Sequence, residues 1–248
     1  MKLFNIKMSA FLAFCAILVF NASLQAQKDT AFWFAAPEIA SSIGDSPVLL
    51  RFLNYGNPAV ITVTQPANGT FTPITINLAA NSIDSIDLTA LLADIESPAG
   101  NVVSPNGLKI TSTAVITAYY ELNANGNREL FSLKGAQSLG DNFYTPFQKS
   151  WNTGVTTPAS FSSIEIVATQ NATTVLITPK TDIVGHLANT SFSVSLNEGE
   201  TYSARNLNLD PSFSLSGSIV SSNNPIAITV FSGALSNNGC ISTMGDQI

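Results

Sequence analysis

Beyond its first 26 residues the chain is a series of short runs in which apolar and polar residues alternate, broken by Asn, Gly and Pro. Residues 48–53, 60–64, 74–78, 107–111 and 115–122 read as strands. So do residues 163–168, 174–178, 192–196 and 226–231. All are rich in Val, Ile, Thr and Phe, which suit a pleated, half-buried surface. Short strands at this spacing predict a sandwich or barrel. The only helical signal is residues 88–95, two turns at most.

The strand series runs twice. Leu50-Arg51-Phe52 continues through Asn57 to Ile61 and Val63. At an offset of 114, Ile164-Glu165-Ile166 continues through Asn171 to Val175 and Ile177. The alternation buries one face of each strand. Those eight apolar residues are therefore the expected core. Pro66 and Pro179 follow the two copies, and residues 192–196 then answer to 74–78. Residues 226–231, ending in Phe231, answer to 115–120, ending in Tyr120. Each copy opens with an acid ahead of an aromatic pair, Asp29 before Phe32-Trp33 and Asp141 before Phe143-Tyr144. The predicted fold is all-β, with two tandem related β-sandwich-like lobes from an internal duplication. The lobes are expected at 27–132 and 133–248, joined around residues 133–140.

The first 26 residues have a different pattern. Lys2 and Lys7 precede an apolar stretch over residues 8–20, and Ala26 is a small residue ahead of Gln27. That is the form of a secretory signal peptide cut between Ala26 and Gln27, and it is too short to span a bilayer. Cys15 does not read as a lipidation site, because Phe14 stands where a small residue is needed. The mature chain is thus expected to be extracellular, with no membrane span. It keeps one cysteine, Cys240, so no internal disulfide can form and the core must hold the fold alone.

Charge narrows the partners. Acids outnumber bases, 16 to 10, and two of the bases lie in the leader. Phosphate backbones need clustered Lys and Arg, so nucleic acid is not an expected partner. Only 10% of residues are charged, and Ser, Thr and Asn supply the remaining polarity. That suits a β surface outside the cell rather than a long-helix protein.

Sets of residues that could carry chemistry are thin. His186 stands alone beside Gly185, and zinc wants three or four Cys or His ligands. The run from Gly135 to Gly140 holds Ser138 but has one residue too many for a nucleophile elbow, and reads as a turn between lobes. Cys240 with His186 lacks local support as a dyad, since Cys240 is expected in a polar loop, Ser236 to Thr243. The pairs Asp84 with Asp87 and Glu198 with Glu200 read as solvated faces before they read as glycosidase carboxylates. Residues 123–127 with Glu129 lack the Asp density of a calcium loop and read as a tight turn. Asn68, Asn171 and Asn189 fit the glycosylation sequon, and Asn68-Gly69 is a turn former first. Trp33 and Trp151 are the candidate ligand-binding residues. Core packing is the favoured role for both, and exposure would make either a platform for glycan or protein. No catalytic residue, cofactor or metal is expected.

The ordered series also resembles a known family. Its residues run from Ser163 through Ile164-Glu-Ile-Val-Ala-Thr-Gln-Asn-Ala-Thr-Thr-Val-Leu-Ile-Thr to Pro179. They continue with Leu196-Asn-Glu-Gly-Glu-Thr-Tyr202, and with Gly217 to Pro225 followed by Ile226-Ala-Ile-Thr-Val-Phe-Ser-Gly233. Glu129 to Gly135 and Leu139 to Tyr144 add the linker and the second-lobe start. Together these resemble the N-terminal domain of IgGFc-binding proteins over nearly all of the mature chain. The resemblance implies a secreted or cell-surface, non-enzymatic β module in adhesion or protein interaction. Bacterial members are similar to large surface proteins with further β domains, linked with adhesion and gliding. No Fc-binding motif carries over residue by residue. Animal members tend to have a cysteine pair near the end where this chain has Cys240 alone, and relatives continue past Ile248, so a truncated product with an unpaired edge is expected. The expected partner is an extracellular protein or glycan. The alternatives to adhesion are a polysaccharide-binding or degrading protein, and a passive spacer.

Overall fold

Strands that turn apolar residues to a shared core build two antiparallel systems, each organised around one long strand. The computed structural model describes residues 27–148, 152, 154, 156–237 and 240–248. The leader with its cut after Ala26, and Trp151, lie outside the described residues; Gln27 is the first of them and is exposed.

In the first lobe the long strand is β7 (Leu108–Ala124), and the others are β1 (Asp29–Phe34), β2 (Val48–Asn54), β3 (Ala59–Thr64), β4 (Ile74–Leu78), β5 (Ile83–Asp87) and β8 (Asn127–Ser132). The first half of β7 lies between β1 and β3, with β4 beyond β3. Its second half lies between β2 and β8, with β5 beyond β2. One strand thus serves two layers. Ile61 and Val63 from one layer and Leu50 and Phe52 from the other meet in a single buried cluster. Phe34, Tyr120 and Phe131 form an aromatic knot there, with ring centroids 4.9–6.3 Å apart. Tilted and edge-on rings at this spacing are a favoured geometry.

The second lobe repeats the plan around β14 (Ile219–Asn237), with β9 (Gly140–Tyr144), β10 (Ser162–Ala168), β11 (Thr173–Thr178), β12 (Phe192–Leu196), β13 (Thr201–Arg205) and β15 (Cys240–Gln247). β9 and β11 flank the first half of β14; β10 and β15 flank the second. The pairings correspond residue by residue. Val63 faces Ile110 as Ile177 faces Val220, and Trp33 faces Lys109 as Tyr144 faces Ile219. All eight residues expected in the core are fully buried. The helical signal appears as one turn, α1 (Leu92–Ile95), entered through a 3-10 turn at Thr89–Leu91.

Two expectations change. Cys240 does not lie in a loop, because β14 runs to Asn237 and β15 begins at Cys240 and pairs back along β14. The expected match of Tyr120 with Phe231 is out by one. Leu50 pairs with Tyr120, while its counterpart Ile164 pairs with Val230. A one-residue slip reverses the face. Tyr120 therefore points into its own lobe, whereas Phe231 leaves its lobe and joins the first lobe's cluster.

The lobes are in close contact. A two-residue strand from the first half, β6 (Val103–Ser104), pairs with β13 of the second lobe. Trp33 and Ala35 pack on Val167 and Ala227 across the junction. The Gln247 side-chain amide donates to the Trp33 carbonyl at 2.6 Å.

Candidate functional site: the cleft at the lobe junction

Where α1 runs out, the chain turns Glu96 into the junction. The Glu96 amide closes the helical turn on Leu92, a bridge ties Glu96 to Ala36, and the Ser97 amide donates to the Ala36 carbonyl at 3.0 Å. Asn106 donates its side-chain amide to the Glu96 carbonyl at 2.8 Å. These bonds hold the 96–97 backbone beside the segment that carries Glu38. A cavity of about 350 Å³ opens there, between the first lobe and the approach to β10. Glu38, Asp45 and Glu96 bring three carboxylates to it. Ile39, Leu92, Pro158 and Phe161 give it apolar walls. Ser42 fastens the far wall by donating to the Pro158 carbonyl at 2.7 Å.

Behind the cleft lies a polar row. Glu165 on β10 stands opposite Ser203 on β13 and Thr229 on β14. The Ser203 hydroxyl donates to Glu165 Oε1 at 2.7 Å and accepts from Arg205 Nε at 3.1 Å. Arg205 reaches the first lobe through Nη1, 2.8 Å from Glu38 Oε2, and through Nη2, which donates to the Ser97 carbonyl. Its guanidinium lies 3.9 Å above the Phe161 ring. Among the described residues Arg205 thus joins acids from both lobes at this junction, and its planar fork suits that role.

The site shifts proton affinities. Glu96 is 8% exposed, and its Oε1 accepts no hydrogen bond. Burial, then the Glu38 charge, push its carboxyl up to about 8, against a smaller pull from the Ile39 amide. Tyr120, fully buried, is pushed up by burial and by Glu96. Glu165 is also raised by burial, which the nearby Arg205 charge partly opposes. Both carboxyls follow the rule that desolvation disfavours the charged form.

The residues singled out from sequence are not brought together. Trp33 is 6% exposed, packed at the junction with Lys109 Nζ 4.7 Å from its ring centroid. Asp84 and Asp87 are exposed on β5, the latter accepting from the Thr89 amide. Glu198 pairs with Lys109 at 2.9 Å, while Glu200 accepts from the Asn197 amide. His186 stacks on Phe192, with centroids 3.4 Å apart, and its Nε2 lies 3.0 Å from Asn101 Oδ1. Ser138 donates to the Gly135 carbonyl in a 3-10 turn. Asn127 is spent on structure, donating to Gly44 and accepting from Thr243. Among the described residues no group of three His, Cys, Asp or Glu side chains is placed to hold a metal.

Glu38, Glu96, Glu165 and Arg205 were not legible as a site. The one available signal was Glu165, an acid between two core isoleucines. Its alternation marked it as a face outside the core, but not that a second lobe covers that face.

Residues 131–248 match the family model described as IgGFc binding protein. The resemblance read from the sequence is borne out over this span, which holds the last two residues of β8 and the whole second lobe. No curated protein and no solved structure matches the chain. Among the described residues no helix is long and apolar enough to cross a membrane.

Proposed function

We propose that the chain is a secreted or cell-surface, non-catalytic β module that binds an extracellular protein. The observation that carries this reading is the match of residues 131–248 to a family described by protein binding, IgGFc binding protein. The two-lobe plan supports it as well. Corresponding strands keep the same partners in both lobes, as an internal duplication would leave them. A duplicated sandwich offers loops and edges for contact while its core stays fixed. Among the residues weighed from sequence, His186 is engaged in packing, Ser138 in a turn and Glu198 in an ion pair. Release between Ala26 and Gln27 would place the chain outside the cell.

Glycan binding is the second reading, favoured by the carboxylates of the cleft, which suit sugar hydroxyls. It lacks a stacking face there, because Arg205 covers the Phe161 ring and Trp33 is buried. The test is to express the full chain with its leader in a secreting host and purify the exported product. Its folding is checked, and it is screened on arrays of extracellular proteins, IgG Fc among them, and of glycans. Saturable binding to a protein is expected. Glycan binding alone would replace this reading with the second, and no binding by a folded monomer would leave a spacer.

A further inference from the structure

The cleft at the lobe junction combines acids with apolar walls, and among the described residues no cation is paired with Glu96. Arg205 neutralises Glu38 from behind and is held by Ser97 and Ser203 as well, so it is not free to serve Glu96. Glu96 lines the cavity while more than nine-tenths buried; its Oε1 makes no hydrogen bond of ordinary geometry, and the groups beside its carboxyl are the Ile39 amide and the buried Tyr120 hydroxyl, both uncharged. A buried carboxylate with neutral neighbours is costly, and a charged donor arriving from outside would relieve it. Ile39, Leu92 and Pro158 give a methylene stem something to lie against. Long basic side chains bury their stems this way while the charged head seeks a carboxylate.

We propose that this cleft receives the side chain of an arginine or lysine presented by the protein partner, with Glu96 and Asp45 as its counter-ions. The proposal rests on the protein-binding reading above and adds the chemistry of the contact. Charge complementarity selects the occupant, since an anionic or purely apolar group would leave Glu96 unanswered.

A proton linkage follows. The groups facing Glu96 are Glu38, Asp45 and Tyr120, with Arg205 held on Glu38. Near neutral pH Glu96 holds its proton in the free protein. A bound guanidinium would displace that proton, so binding should tighten as pH rises and should release protons near pH 7.

The experiment uses the exported chain, labelled for NMR, and a capped tripeptide, acetyl-Gly-Arg-Gly-amide, with its citrulline counterpart as the neutral control. Expected are saturable shifts confined to residues 38–45, 92–98 and 158–161, absent with citrulline. Affinity should rise about tenfold or more from pH 6 to pH 9. Glu96→Gln should abolish that pH dependence and weaken binding, Asp45→Asn should weaken it less, and exposed Asp141→Asn should leave it unchanged. No binding at either pH, or equal binding by Glu96→Gln, overturns the proposal. The array separates the two readings. A protein ligand that Glu96→Gln binds equally well, and that the arginine peptide does not compete, keeps the module and removes the cleft. Peptide binding as described with no protein ligand keeps the cleft assignment and removes the module reading.

Discussion

β2 and β10 occupy the same place in the two lobes, yet their outward faces differ. Along β2 burial alternates, with Leu49, Arg51 and Leu53 only half covered. Along β10 every residue is buried. Arg51, at the place corresponding to Glu165, meets Glu121 in an ion pair that water still reaches. Glu165 is sealed under the first lobe and must be answered by Ser203 and Arg205. The aromatic pair shows the reverse side of the same asymmetry. Trp33 is buried by the second lobe, whereas its counterpart Tyr144 is 72% exposed. One strand plan therefore yields two surfaces, and the neighbour decides which.

The comparison can be broken at several places. The largest expected effect is Ile166→Asp, which puts an unpaired charge among Ile164, Val175 and Ile228. Loss of cooperative unfolding in urea, followed by circular dichroism, is the outcome that checks it; a stable variant would contradict the core. Next comes Arg205→Ala. Removing the cation leaves Glu165 buried and uncompensated, at a cost of about 3–5 kcal/mol. Arg51→Ala, at the corresponding strand's open face, should cost about 1 kcal/mol or less. Equal costs in the same urea experiment would erase the distinction between the two faces.

A pH titration sharpens the junction further. Glu96 titrates near 4.5 when unfolded and is raised to about 8 when folded. Between those values the native state keeps a proton that the unfolded chain has lost. Stability should therefore fall as pH rises from about 4.5 to about 8, and level off beyond. Glu165 and Glu129, both raised by burial, add to the same slope. Glu96→Gln, which cannot ionise, should flatten part of it in melting curves taken at pH 5 and pH 8. Gly245→Ala is expected to fall between Arg205→Ala and Arg51→Ala. A Cβ there would meet Phe131 Cε1 at 1.5 Å, and overpacking costs about 1–3 kcal/mol. Its melting point should drop without loss of either lobe.

Much of this plan was legible in the sequence, and the reason is periodicity. Leu50, Phe52, Ile164 and Ile166 are buried because alternation in a sheet leaves them one face to occupy. The aromatic match failed by one residue because Tyr120 and Phe231 are alike in chemistry, while pairing register is set by neighbours far along the chain. Phe231 consequently packs in the other lobe's cluster. The cleft was not legible for the same reason. Glu38, Glu96 and Arg205 lie far apart in sequence, and each alone reads as a solvated charge. Only the docking of one lobe on the other turns them into a site.

Coupling between the lobes is the claim on which the cleft depends. The most direct measurement is hydrogen exchange on the exported chain through a urea series, comparing amides of β2 with those of β10. Loss of protection in both strands at one urea concentration is expected, because the junction ties them through Trp33, Arg205 and Gln247. Two separated transitions would show independent lobes and would contradict a cleft built between them.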